Sequence, residues 1–137
     1  MQQYILPHVV CLKGKKDGTI VQGCDVYIGR RMTMSIWNLD ASVWANPFPC
    51  KTEQERAQCL INYEAYLRQE IVNNQALWGP RLYQLITTGR SLSLGCWCKK
   101  AEKIKKGIDV PCHGDIIVKI LKEYIIILTA QQNVNKQ

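Results

Sequence analysis

No stretch of this chain strings together the roughly 18–20 apolar residues that a membrane-spanning helix needs. Its most apolar run, Ile116 to Leu128, is interrupted by Lys119, Lys122 and Glu123 and reads instead as a buried helix. No Gly-, Ser- or Pro-rich tract divides the 137 residues, which argues against two domains on a linker; a chain of roughly 100–150 residues usually builds one core. Met1 to Leu12 lacks the basic start and the long apolar stretch of a secretory leader, and Pro7 and His8 break its apolar character. Acidic residues are few, 11 against 18 lysines and arginines, and the formal net charge of +7 points to an anionic partner. The paired C-x-x-C knuckles of ordinary structural zinc are missing, as is the C-x-x-C of dithiol redox enzymes. Cysteine itself is not scarce. Seven, an odd number with no leader, predict reduced thiols in a cytoplasm rather than a disulfide framework.

Val9 to Leu12 is a short apolar run of the kind a buried strand makes. The turn signal Asp17-Gly18 lets Thr19 to Val21 pair back, and Asp25 to Ile28 reads as a further strand ended by Gly29. Met32 to Asn46 has no clean period, yet Trp37 and Trp44 within it need burial or a ligand to cover them. Thr52 and Glu55 form a capping box, and Leu60, Tyr63, Leu67 and Ile71 recur at helical spacing over about 53–74. Gly79-Pro80 predicts a break, with Pro80 in the first turn of a second helix that carries Leu82, Leu85 and Ile86 and ends at Gly89.

Leu92, Leu94, Cys96 and Cys98 alternate with Ser91, Ser93, Gly95 and Trp97, the period of a strand. Both cysteines then share one face, and Trp97 lies on the other, packed into the core or against a helix. Pro111-Cys112-His113-Gly114-Asp115 opens a last helix with Ile116, Ile117, Ile120, Leu121, Tyr124 and Leu128 on its stripe, and Gln131 to Gln137 reads as a disordered polar tail. The pattern predicts a single three-layer α/β domain over 1–130, with a short, mostly parallel sheet and flanking helices, loosely Rossmann-like. In such sheets ligands bind outside the carboxyl ends of the strands, where a helix N-terminus offers unpaired amides.

Four runs in this order, Asp25-Val26-Tyr27-Ile28-Gly29-Arg30, Asn46-Pro47-Phe48, Leu94-Gly95-Cys96-Trp97-Cys98-Lys99 and Cys112-His113-Gly114-Asp115, resemble the signature of an uncharacterised domain family of bacteria, phages and large DNA viruses. The resemblance extends from about Val9 to Leu121. It implies a fold and a site at these runs and brings no activity with it. This chain departs from the family pattern at Ala45, where a glycine is usual, in the longer gap that precedes Ala45, and in the inserted Lys100 to Val110.

The residue types in these runs admit several chemistries. Arg30 suits bidentate phosphate recognition, Gly114 lets backbone approach a ligand closely, and Asn46 can orient hydroxyl or base groups of a nucleotide or nucleotide sugar. If turnover occurs, His113 serves as acid or base and Asp115 as base or electrostatic stabiliser for cleavage or transfer at a glycosidic bond, although Asp115 is equally placed to cap the helix. Cys96, Cys98, Cys112 and His113 supply the donors that zinc prefers, and an iron–sulfur cluster has the same partial inventory. Cys112 beside His113 at a helix start also suits thiol chemistry, with Cys96 or Cys98 resolving a disulfide.

A non-catalytic module that sequesters a nucleotide or docks on a protein is a further reading. Ile125 to Leu128, apolar nearly all round, suits a second subunit. The lysine clusters, Lys13, Lys15 and Lys16 and then Lys99, Lys100, Lys103, Lys105 and Lys106, are expected to surround the mouth of the site. Nucleic acid stays open as a partner, but no aromatic residues are interleaved with these lysines to make a stacking platform.

Overall fold

The structure, a computed structural model, describes residues 2–14, 20–33, 37–97 and 112–135. Expectations for the Asp17-Gly18 turn, for Cys98 and Pro111, and for every lysine of the two clusters except Lys13 lie outside the described residues.

Short apolar runs bounded by polar loops become short strands. Strands β1 (His8–Cys11), β4 (Val26–Tyr27) and β5 (Ser93–Cys96) form a parallel sheet in the order β1-β5-β4, and β2 (Lys13–Gly14) pairs antiparallel with β3 (Ile20–Gln22). The last strand in sequence is therefore the middle one in space. Its register, His8 opposite Ser93 and Tyr27 opposite Gly95, places Val9, Cys11, Leu94, Cys96 and Val26 on one face of the sheet. The pairing runs on beyond the strands, with Leu12 N–H donating to Cys96 O and Ile28 N–H to Gly95 O, both near 3.0 Å.

Three helices are described: α1 (Glu53–Asn73), α2 (Gln75–Ile86) and α3 (His113–Asn135). Thr52 caps α1 as the sequence predicts, its hydroxyl accepting from Glu55 N–H, while the Glu55 carboxylate reaches back to the Lys51 amide. The buried face of α1 carries Cys59, Tyr63 and Leu67, one turn apart. Helix α3 buries Ile117, Ile120 and Leu121. Its first turn lies so close to the sheet that a Cβ on Gly114 would stand 2.8 Å from Val9 Cγ2 and 2.9 Å from Ile28 Cδ1. Arg68 bridges α1 to Glu123, and Lys119 bridges α3 to Glu64. No helix among the described residues is long and apolar enough to cross a membrane.

Two boundaries differ from the sequence reading. Helix α2 begins five residues before Pro80, because the Asn74 side chain accepts from Leu77 N–H and the Asn74 carbonyl accepts from Trp78 N–H. Pro80 then costs one internal hydrogen bond, and Trp78, buried edge-on against Trp44, holds the early turn in place. Helix α3 continues through Asn135, so residues 131–135 are helical where composition suggested a tail. Gln132 donates to the Tyr4 hydroxyl at 2.7 Å, a tertiary anchor 128 positions away.

Candidate functional site

The carboxyl ends of β4 and β5 open into a cavity of about 430 Å³, and the chain at its rim is tied down residue by residue. At the other end of β4, the Asp25 carboxylate takes both terminal nitrogens of Arg90 (2.9 and 2.7 Å) and the amide and hydroxyl of Ser93. The Arg90 guanidinium, first, and the Ser93 donors hold its carboxyl well below the usual carboxylate range. Two residues on, the Tyr27 ring folds back over Gly29, where any Cβ would stand 2.7 Å from its Cζ. The Tyr27 hydroxyl donates to the Arg30 carbonyl and accepts from Trp97 Nε1–H at 2.9 Å. Ser42 N–H caps the Gly29 carbonyl.

The opposite wall comes from the segment before α1. Asn46 Oδ1 accepts from Phe48 N–H across Pro47, and the Asn46 carbonyl accepts from Arg30 Nε at 3.0 Å. Arg30 is thereby fixed through one nitrogen, and among the described residues no carboxylate pairs with Arg30 or Arg31. Phe48 packs edge-on against Tyr66. Behind this wall the Tyr63 hydroxyl donates to the buried Trp44 carbonyl, and burial pushes its pKa far up, so it stays a donor.

His113, the first residue of α3, closes the floor. Its Nε2 lies 2.6 Å from the Ile28 carbonyl. That oxygen can only accept, so Nε2 donates to it, and Nδ1 lies 3.9 Å from Cys112 Sγ. The ring is 5% exposed and meets Tyr63 edge-on.

Three of the residues predicted from sequence, Arg30, Asn46 and His113, thus line one cavity. Gly114 and Asp115 do not. Gly114 is spent on helix-to-sheet contact against Val9 and Ile28, and its N–H donates to Cys112 Sγ. Asp115 turns its Oδ2 back to accept from Cys112 N–H at 2.9 Å, while its own N–H donates to the Cys112 carbonyl, a capping box with cysteine in the capping position. Of the expected metal donors, Cys96 and Cys112 approach each other and Cys98 lies outside the described residues. Among the described residues no group of three or more His, Cys, Asp or Glu is placed to hold a metal.

Sequence reasoning missed Tyr27, Arg31, Met32, Phe48 and Cys50 as lining residues and misplaced Trp97. Instead of entering the core, Trp97 stands at the cavity wall, edge-on to Trp37 with ring centroids 5.1 Å apart. It follows the last residue of β5, beyond the strand pairing. The usable signal was the Tyr27-Ile28-Gly29-Arg30 step: an aromatic residue two before a glycine at a strand end marks a ring folded over backbone.

The class this geometry defines is a small α/β domain with a ligand-sized cavity at the carboxyl edge of a parallel sheet. Residues 11–123 match the family model described as Domain of unknown function (DUF4326), and the chain belongs to that family. It is also similar to "Uncharacterized protein R718" of Acanthamoeba polyphaga mimivirus, 35% identical over 117 residues that cover 85% of this chain and 80% of the relative. No solved structure matches the chain.

Proposed function

We propose that this chain binds a phosphate-bearing nucleotide or nucleotide-sugar ligand in the cavity at the ends of β4 and β5. One observation carries the reading: a single cavity combines two guanidinium groups, Arg30 and Arg31, with the aromatic residues Tyr27, Phe48 and Trp97 and the amide of Asn46. Guanidinium forks match phosphate oxygens, and aromatic faces suit a base. The volume falls in the range of roughly 300–1,000 Å³ common for small-molecule sites. The cytoplasm, where thiols stay reduced, is the compartment this reading calls for.

Recognition without turnover is favoured over hydrolysis or transfer. Glycosidic chemistry needs a paired acid and base at the reacting bond. Here the Asp115 carboxylate is committed to the Cys112 amide away from the cavity, and His113 has one ring nitrogen bound to Ile28.

Titration with a panel of nucleoside, nucleoside phosphate and inorganic phosphate, read by calorimetry, tests the proposal. Phosphorylated nucleosides should bind more tightly than either part alone, and Arg30→Ala should weaken them by at least about tenfold, the cost of a charge-assisted hydrogen-bond pair. Binding unaffected by Arg30→Ala, or no binding by any member of the panel, would sink it.

A further inference from the structure

Two sulfurs outside the ligand reading lie in contact. Cys96 ends the central strand, Cys112 occupies the capping position of α3, both are wholly buried, and their Sγ atoms lie 3.0 Å apart across 16 residues of sequence. Capping positions strongly prefer serine, threonine, aspartate or asparagine. A serine would cap α3 better than a thiol does, so capping alone does not account for sulfur at position 112. What sulfur adds is contact with the Cys96 sulfur.

Cys112 also has polar neighbours within reach of its sulfur. Gly114 N–H donates to it at 3.2 Å at the positive end of α3, and His113 Nδ1 lies 3.9 Å away. We infer that Cys96 and Cys112 are a reversible redox pair, a dithiol that a peroxide-class oxidant closes to an intrachain disulfide.

The Cys112 sulfur, losing its proton, attacks one peroxide oxygen. The O–O bond breaks, leaving a sulfenic acid on Cys112 and a hydroxide that takes up the thiol proton as water. Cys96 then attacks the sulfenyl sulfur. The S–S bond forms, and the sulfenyl oxygen leaves as a second water with the Cys96 proton. Two thiols and one peroxide become one disulfide and two waters. Contraction from 3.0 Å to the covalent distance of about 2.0 Å asks for roughly one ångström of movement.

Native protein purified under reductant and then treated with a slight excess of hydrogen peroxide should lose the mass of two hydrogens. Digestion should yield a peptide pair joined through Cys96 and Cys112, separated again by dithiothreitol. The imidazole resonances of the chain's two histidines should respond unequally, His113 shifting and His8 holding still. Cys112→Ser, which keeps a good cap, should fold and lose the cross-link; Cys96→Ala should lose it as well. If either variant fails to fold, the peptide map of the native chain decides. The inference is overturned if both thiols stay reduced while the exposed Cys50 is oxidised, if either sulfur cross-links to a different cysteine, or if a metal ion co-purifies and is lost in both variants.

Discussion

The Nε2 of His113 lies 2.6 Å from the carbonyl oxygen of Ile28, a bond across 85 positions that fastens the start of α3 to the residue following β4. Both residues are buried, so the bond has little competition from water, and it sets the floor of the cavity against its Arg30 rim. His113→Phe keeps a ring against Tyr63 but leaves the Ile28 carbonyl without this donor. The expected loss is about 1–3 kcal/mol of unfolding free energy, the cost of a buried polar group left unmatched. An unchanged urea midpoint would show that the bond is not structural.

Gly29 is required by the ring above it. Gly29→Ala would place a methyl group 2.7 Å from Tyr27 Cζ, and the ring cannot yield without giving up its bonds to Arg30 O and Trp97 Nε1. A destabilisation of about 1–3 kcal/mol, typical of overpacking, should accompany weaker nucleotide binding. Tyr27→Phe, which removes only the hydroxyl, should reduce binding with a smaller change in thermal midpoint. A Tyr27→Phe protein with unaltered affinity would remove the hydroxyl from the account of the rim.

Asp115 accepts from the Cys112 amide at the start of α3, so on the proposed reading its loss is expected to affect the helix and not the ligand. Asp115→Ala should cost about 0.5–2 kcal/mol of stability, as the loss of a helix cap does, with nucleotide affinity unchanged in calorimetry. Loss of binding at full stability would return Asp115 to the ligand site.

The Asp25–Arg90 pair governs acid sensitivity at the amino end of β4. Because the carboxyl pKa of Asp25 is lowered in the folded state, the group contributes stability that is fully present above its unfolded value of about 3.9 and is lost as pH falls toward the folded value. The stability gap between the native chain and Asp25→Asn should therefore hold steady from about pH 5 to 8 and narrow below about pH 4. A gap that widens on acidification would reverse the sign assigned to this pair.

Much of the architecture was legible before any coordinates. The Thr52 and Glu55 box, the α1 stripe and the alternation of 92–96 are local patterns, and each depends on neighbours within a turn or a strand pair. Pro80 misled for the same reason: the local rule for proline is sound, but Asn74 and the Trp44–Trp78 contact outweigh one missing amide. At the site, Arg30, Asn46 and His113 were legible because arginine, asparagine and histidine beside strand and helix ends announce their chemistry.

By itself, the sequence determined most of the strands and helices and that the candidate site residues gather in four runs. Periodicity and capping are short-range and so are written in consecutive residues. Tertiary structure alone decided which neighbours within a run part company. His113 turns to Ile28 at the cavity floor, while Asp115, two residues later, turns back to cap α3. Successive positions on a helix point about 100° apart, so residues adjacent in sequence face different surroundings. Only the packing of α3 on the sheet, set by the absence of a side chain at Gly114, fixes which of them meets the cavity.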